Sequence, residues 1–138
     1  MKNILFLTSI AVASFAPFIS SAQVVKPAPR VSTQAQAEFF AAINEHCGNS
    51  YAGEVTVDTP ASEGFEGPLI MHVRKCGDTK IEIPFHVGDN HSRTWILTQT
   101  GSGISLKHDH RKQDGNYDPL TMYGGHTVDK GHSTAQSF

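Results

Sequence analysis

The sequence predicts a mainly β fold: an antiparallel meander curled into an open or partial barrel, with one N-terminal helix. Three observations carry this. After Gly48, turn-forming clusters ("SEGFEGP", "GDT", "GDN", "GSG", "QDGN") recur about every ten residues. The segments between them alternate apolar and polar side chains with a period of two, as a half-buried strand requires. Helical spacing occurs once, before Gly48, and no strand–helix alternation follows, so a parallel sheet is not expected.

The elements follow in order. Residues 1–22 open with Lys2, run apolar from Ile4 to Ile19 and end on small residues at Ser20–Ala22, the pattern of a secretory signal peptide cleaved after Ala22. Pro17 and the shortness of the run argue against a membrane anchor, and nothing later is long and apolar enough to span a bilayer. Residues 23–32, with two prolines and no period, form an extended leader. Thr33 is a candidate N-cap with Gln36 as its capping-box partner, and Phe39, Phe40, Ile43 and Cys47 make one apolar helical stripe that stops at Gly48. Six strands are expected after it: "SYAGEVTVD", "LIMHVRKC", "KIEIPFHV", "RTWILTQT", "ISLKHDHR" and "LTMYGGHT". Pro84 marks the third as an edge strand or a bulge. Residues 33–125 thus form a single β-rich domain, and residues 126–138, which lack periodicity, a disordered or truncated tail.

Composition bounds the function. Cleavage after Ala22 leaves about 116 residues, enough for one modest core. The net charge is −2 and loses Lys2 on cleavage, so the mature chain is mildly acidic with no basic cluster, which argues against a nucleic-acid surface. Two cysteines, Cys47 and Cys76, in a chain bound for a secreted or periplasmic location suggest one disulfide; two buried thiols are the alternative.

The stretch "GPLIMHVRKC", "IEIPFHVGDNHSRTWILT" and "LKHDHRKQDGNYDPLTMYGG" resembles a group of uncharacterised bacterial secreted proteins. They share a short helix, a cysteine near its end, a second cysteine after an "MHVR"-like strand and an "RTW", "LKHDHR", "YGG" core. The resemblance covers residues 39–125 and implies no activity. Members of the group run past the glycine pair to a further strand, whereas this chain continues as "HTVDKGHSTAQSF", which implies a shortened C-terminus. The helix followed by "CGNSYAG" and a meander is also similar to the start of a lipocalin-like (calycin) barrel. That resemblance concerns fold and leaves function open.

"LKHDHR" concentrates the candidate chemistry. Strand alternation puts Leu106, His108 and His110 on one face and Lys107, Asp109 and Arg111 on the other. Histidines at this spacing have Cα atoms about 6–7 Å apart and can converge on one zinc ion, with His72, His86 or His126 as a third ligand by type. The simpler reading is a strand that grows wetter toward its end, with Ile104 and Leu106 in the core, His108 and His110 at the rim, and Arg111 paired with Asp114 or Asp118. Between these lies a third: His108 and His110 face a cavity lined by Trp95, Leu97 and Phe85, where a small apolar or amphipathic ligand binds. "DGNYD" lacks the spacing of a calcium loop and reads as a turn. Three functions stay open. One is an exported non-enzymatic ligand-binding or envelope accessory domain without a cofactor. The second is a metal-binding protein or metal-dependent hydrolase using His108 and His110. The third is an interaction module, pairing with a partner or a second copy through a free sheet edge.

Overall fold

The computed structural model describes residues 32–56 and 64–138. The expected signal peptide, all but the last residue of the leader, and residues 57–63 lie outside the described residues. In chain order the elements are α1 (Gln34–Glu45), β1 (Ser50–Gly53), β2 (Leu69–His72), β3 (Lys75–Cys76), β4 (Lys80–Val87), β5 (Asn90–Thr100), β6 (Gly103–His110) and β7 (Tyr123–His126). The strands form one antiparallel sheet in the order β1-β2-β4-β5-β6-β7, with β3 also pairing with β4. The sheet is not closed into a barrel. Among the described residues no helix is long and apolar enough to cross a membrane.

α1 starts where its capping chemistry sits. Gln36 N–H donates to the Thr33 hydroxyl, and Thr33 N–H donates back to the Gln36 side-chain oxygen at 2.8 Å. Gly48, at a φ of 87°, turns the chain out of the helix region, where a Cβ would be strained. Phe40 is buried, and Phe39 and Ile43 pack against the same core, which the sheet supplies through Val73, Ile81, Ile83, Leu97 and Ile104.

One expectation about the strands needs correction. "LIMHVRKC" is two strands, because its register against β4 slips by one residue between the Met71–Phe85 and Lys75–Glu82 pairs, while Val73 N–H donates to the Asn49 carbonyl at 3.0 Å in line with the β1–β2 pairing. Of the two readings of Pro84, the bulge holds and the edge position does not, since β4 is an interior strand. Pro84 sits opposite that slip, beside a register shift between Phe85 and Val87, so the N–H it lacks falls where the ladder is already interrupted.

The Cys47–Cys76 disulfide ties the end of α1 to β3, with Cα atoms 6.1 Å apart. Residues 126–138 carry no period but have definite partners. Thr127 is buried, its N–H donates to the Ile104 carbonyl at 2.9 Å, and its hydroxyl accepts from Gln36 Nε2 at 3.0 Å. Gln36 Nε2 also donates to the Asp129 carbonyl at 2.8 Å, so one buried glutamine both closes the capping box and fastens α1 to the segment after β7.

Candidate functional site

Three rows of side chains cross the face of the sheet that α1 packs on. Ile81, Leu97 and Leu106 stand side by side in the first, which ends at Gly125. Ile83, Trp95, His108 and Tyr123 make the second. Tyr51, Met71, Phe85, Arg93 and His110 make the third. Along β5 the order is therefore Leu97, Trp95, Arg93, and along β6 it is Leu106, His108, His110. Both strands pass from apolar to basic in the same direction across the sheet, about 6–7 Å per step.

Between α1 and this face lies a cleft of about 480 Å³. The helix contributes Phe39, Ile43 and His46, and the sheet contributes Met71, Ile83, Trp95, Leu97 and Leu106. Tyr51 and Phe138 also line it. Phe138 reaches it because Gly125 has no side chain: a Cβ there would come within 2.9 Å of the Phe138 carbonyl carbon. The Tyr51 hydroxyl is 2.6 Å from His46 Nδ1.

Beside Trp95 the same face becomes polar. Phe85 stacks on Trp95 with centroids 5.2 Å apart and planes inclined by 9°. Phe65 packs on Phe85, and the Arg93 guanidinium lies over the Phe65 ring at 5.4 Å. The His108 and His110 rings meet edge to face at 5.5 Å. His108 Nδ1 bonds the Tyr123 hydroxyl, while its Nε2 is buried without a partner. Arg93 Nη1 is likewise buried without a partner, and among the described residues its Nη2 reaches the Gly64 carbonyl, at 3.5 Å. Burial holds the His108 pKa below the ordinary histidine value, the positive charges of His110 and Arg93 push the same way, and Asp109 opposes them weakly. The ring is therefore neutral at neutral pH. In the tautomer that accepts the Tyr123 proton at Nδ1, the ring carries its own proton on Nε2.

Of the residues singled out in the sequence, Trp95 and Leu97 line the cleft, Phe85 backs Trp95, and His108 and His110 share the polar corner. The proposed third metal ligands do not join them. His72, His86 and His126 occupy register positions that alternate with the inner-face set: His86 stacks on His91, and His126 Nε2 lies 2.8 Å from the Thr100 hydroxyl. Among the described residues no group of three His, Cys, Asp or Glu side chains is placed to hold a metal ion. Arg111 pairs with Asp109 at 3.0 Å and lies over the Tyr117 ring at 3.7 Å, not with Asp114 or Asp118. Asp114 instead accepts from Asn116 N–H within its own turn. Residue-by-residue reasoning passed over Arg93, though it stands two positions before Trp95 on the same strand and so shares its face. Tyr123, His46 and Phe138 carried no such signal, since each reaches the site through a tertiary contact. Comparison with family models, with curated proteins and with solved structures finds no match for this chain.

Proposed function

We propose that the protein is an exported, non-enzymatic domain that holds a small apolar or amphipathic ligand between α1 and the sheet. One observation carries this: an open apolar cleft of about 480 Å³ between α1 and the sheet. A space in the range of small-molecule sites, roughly 300–1,000 Å³, walled by Trp95, Leu97, Leu106, Met71 and Ile43, suits an apolar guest. A sheet crossed by one helix fits a curled, lipocalin-like reading of the fold. The signal-like residues 1–22 and the Cys47–Cys76 pair support export, because disulfides persist in oxidising compartments. The metal reading has less support, for His108 and His110 have no third ligand among the described residues.

Trp95 is the only tryptophan, so its fluorescence reports on the cleft. Titration with N-phenyl-1-naphthylamine should quench Trp95 and raise probe emission, saturating at one probe per chain. Leu106→Trp, which fills the cleft, should abolish the probe signal while the protein stays folded. Absence of saturable binding to the unaltered protein, or undiminished binding to the filled variant, would overturn the reading.

A further inference from the structure

We infer that the guest is a single-chain anionic amphiphile, fatty-acid-like in chemistry, whose tail lies in the cleft and whose carboxylate is taken by Arg93 and His108. The inference rests on the cleft reading above and adds the chemistry and position of the head group.

The order of side chains on adjacent strands is the first ground. Leu97 and Leu106 pair in the cleft, Trp95 and His108 pair at its edge, and Arg93 and His110 pair one step beyond. A molecule lying along these strands meets hydrocarbon first and fixed positive charge last, the polarity of an anionic amphiphile. The second ground is hydrogen-bond accounting. Buried polar groups in folded proteins nearly always have partners, and leaving one unmade is costly. Two nitrogens at this corner, Arg93 Nη1 and His108 Nε2, are buried and have none. The guanidinium has only donors to offer, and His108 offers a donor at Nε2 in the tautomer that accepts from Tyr123 at Nδ1. In that tautomer two donors on one face lack partners, and a carboxylate oxygen bound to an arginine forms the stronger, charge-assisted kind of bond.

The third ground is that no carboxylate among the described residues pairs with Arg93. The ion pairs among the described residues join Lys75 and Lys80 to Glu82 and Arg111 to Asp109, and none involves Arg93. Asp109 occupies the alternate set of β6 positions and bonds Arg111 and Thr121. The His46–Tyr51 part of the lining makes a poorer head-group site, because His46 and Tyr51 satisfy each other at 2.6 Å and Asn49 also donates to the Tyr51 hydroxyl. Phe65, Phe85 and Trp95 wall the Arg93 corner with aromatic rings, which lowers the local dielectric and strengthens a buried charge pair.

The test compares dodecanoate, dodecanol and dodecyltrimethylammonium, each below its micelle concentration, by calorimetry and Trp95 quenching on the mature protein with its disulfide intact. Dodecanoate should bind at least about tenfold more tightly than dodecanol, and the cationic amphiphile should bind most weakly. Arg93→Gln should bring dodecanoate to the level of dodecanol and leave dodecanol unchanged, whereas Arg93→Lys should keep part of the preference. His108→Phe should lower the preference with Arg93 in place, and His46→Gln should leave it intact. Thermal melts of each variant separate lost binding from lost folding. Equal binding of dodecanoate and dodecanol to the unaltered protein overturns the head-group inference and leaves the cleft reading standing. A loss of preference in His46→Gln as large as in Arg93→Gln also overturns it. If no probe binds, the cleft reading falls, and this inference falls with it.

Discussion

The two ends of one sheet face differ in chemistry although the same strands build both. At the covered end, Ile81, Leu97 and Ile104 lie under Phe40 of α1, and Ile81 and Ile104 are fully shielded from solvent. At the other end, Phe85, Arg93, His108 and His110 stand beyond the helix, only partly buried, with two nitrogens lacking partners. Backbone pairing is continuous between the ends, so the ladder does not distinguish them. What differs is which alternate positions carry hydrocarbon and how far the helix reaches. The covered end stabilises the fold, and the uncovered end keeps unmet bonding capacity.

The contrast can be broken at its strong end first. Ile81→Ala removes buried hydrocarbon from the packed row and should cost about 2–5 kcal/mol of unfolding free energy, read from urea or thermal melts. Substitution of both cysteines by serine should cost roughly 3–4 kcal/mol, since the disulfide spans 29 residues and links α1 to the sheet. In that variant the cleft should also lose probe affinity, because α1 forms its roof. At the other end, Arg93→Met should move stability by no more than about 1 kcal/mol in either direction, since Nη1 gives up no bond. A large destabilisation there would mean that the polar corner holds the fold together and would dissolve the comparison.

A smaller effect comes with pH. Burial lowers the pKa of both His86 and His108, and neighbouring positive groups add to it: His91, Arg74 and His72 around His86, and His110 and Arg93 around His108. The folded state therefore favours the neutral rings. Their contribution to stability is complete above the ordinary value of 6.5 and is lost as pH falls through the depressed folded values. Melts taken between about pH 7 and 5 should show falling stability, with a shallower slope in the His86→Gln, His108→Gln double variant. An unchanged slope would remove these rings from the account. Glu82, held below the usual carboxylate range by Lys80 and then Lys75, adds a separate loss at lower pH.

Much of this was legible in the chain. A period of two and turn residues at regular intervals specify strands, and the capping residues at Thr33 and Gln36 specify where the helix begins, because each is a local steric or hydrogen-bonding preference. The same alternation ordered Leu106, His108 and His110 on one face before any fold was known. It could not show that the "LIMHVRKC" segment would slip its register against β4, or that Pro84 would sit opposite the slip, since both depend on contacts distant in sequence.

The sequence by itself determined the local conformations and the apolar-to-basic order within each strand, because neighbouring side chains and backbone sterics settle these within a few residues. Only the tertiary structure decided the register that puts Arg93 beside His110, the placement of α1 over one end of the face, and the use of Gln36 to hold the segment after β7. Those outcomes depend on burying particular surfaces against one another, and the free energy of such burial belongs to the assembled surfaces, not to any one stretch of chain.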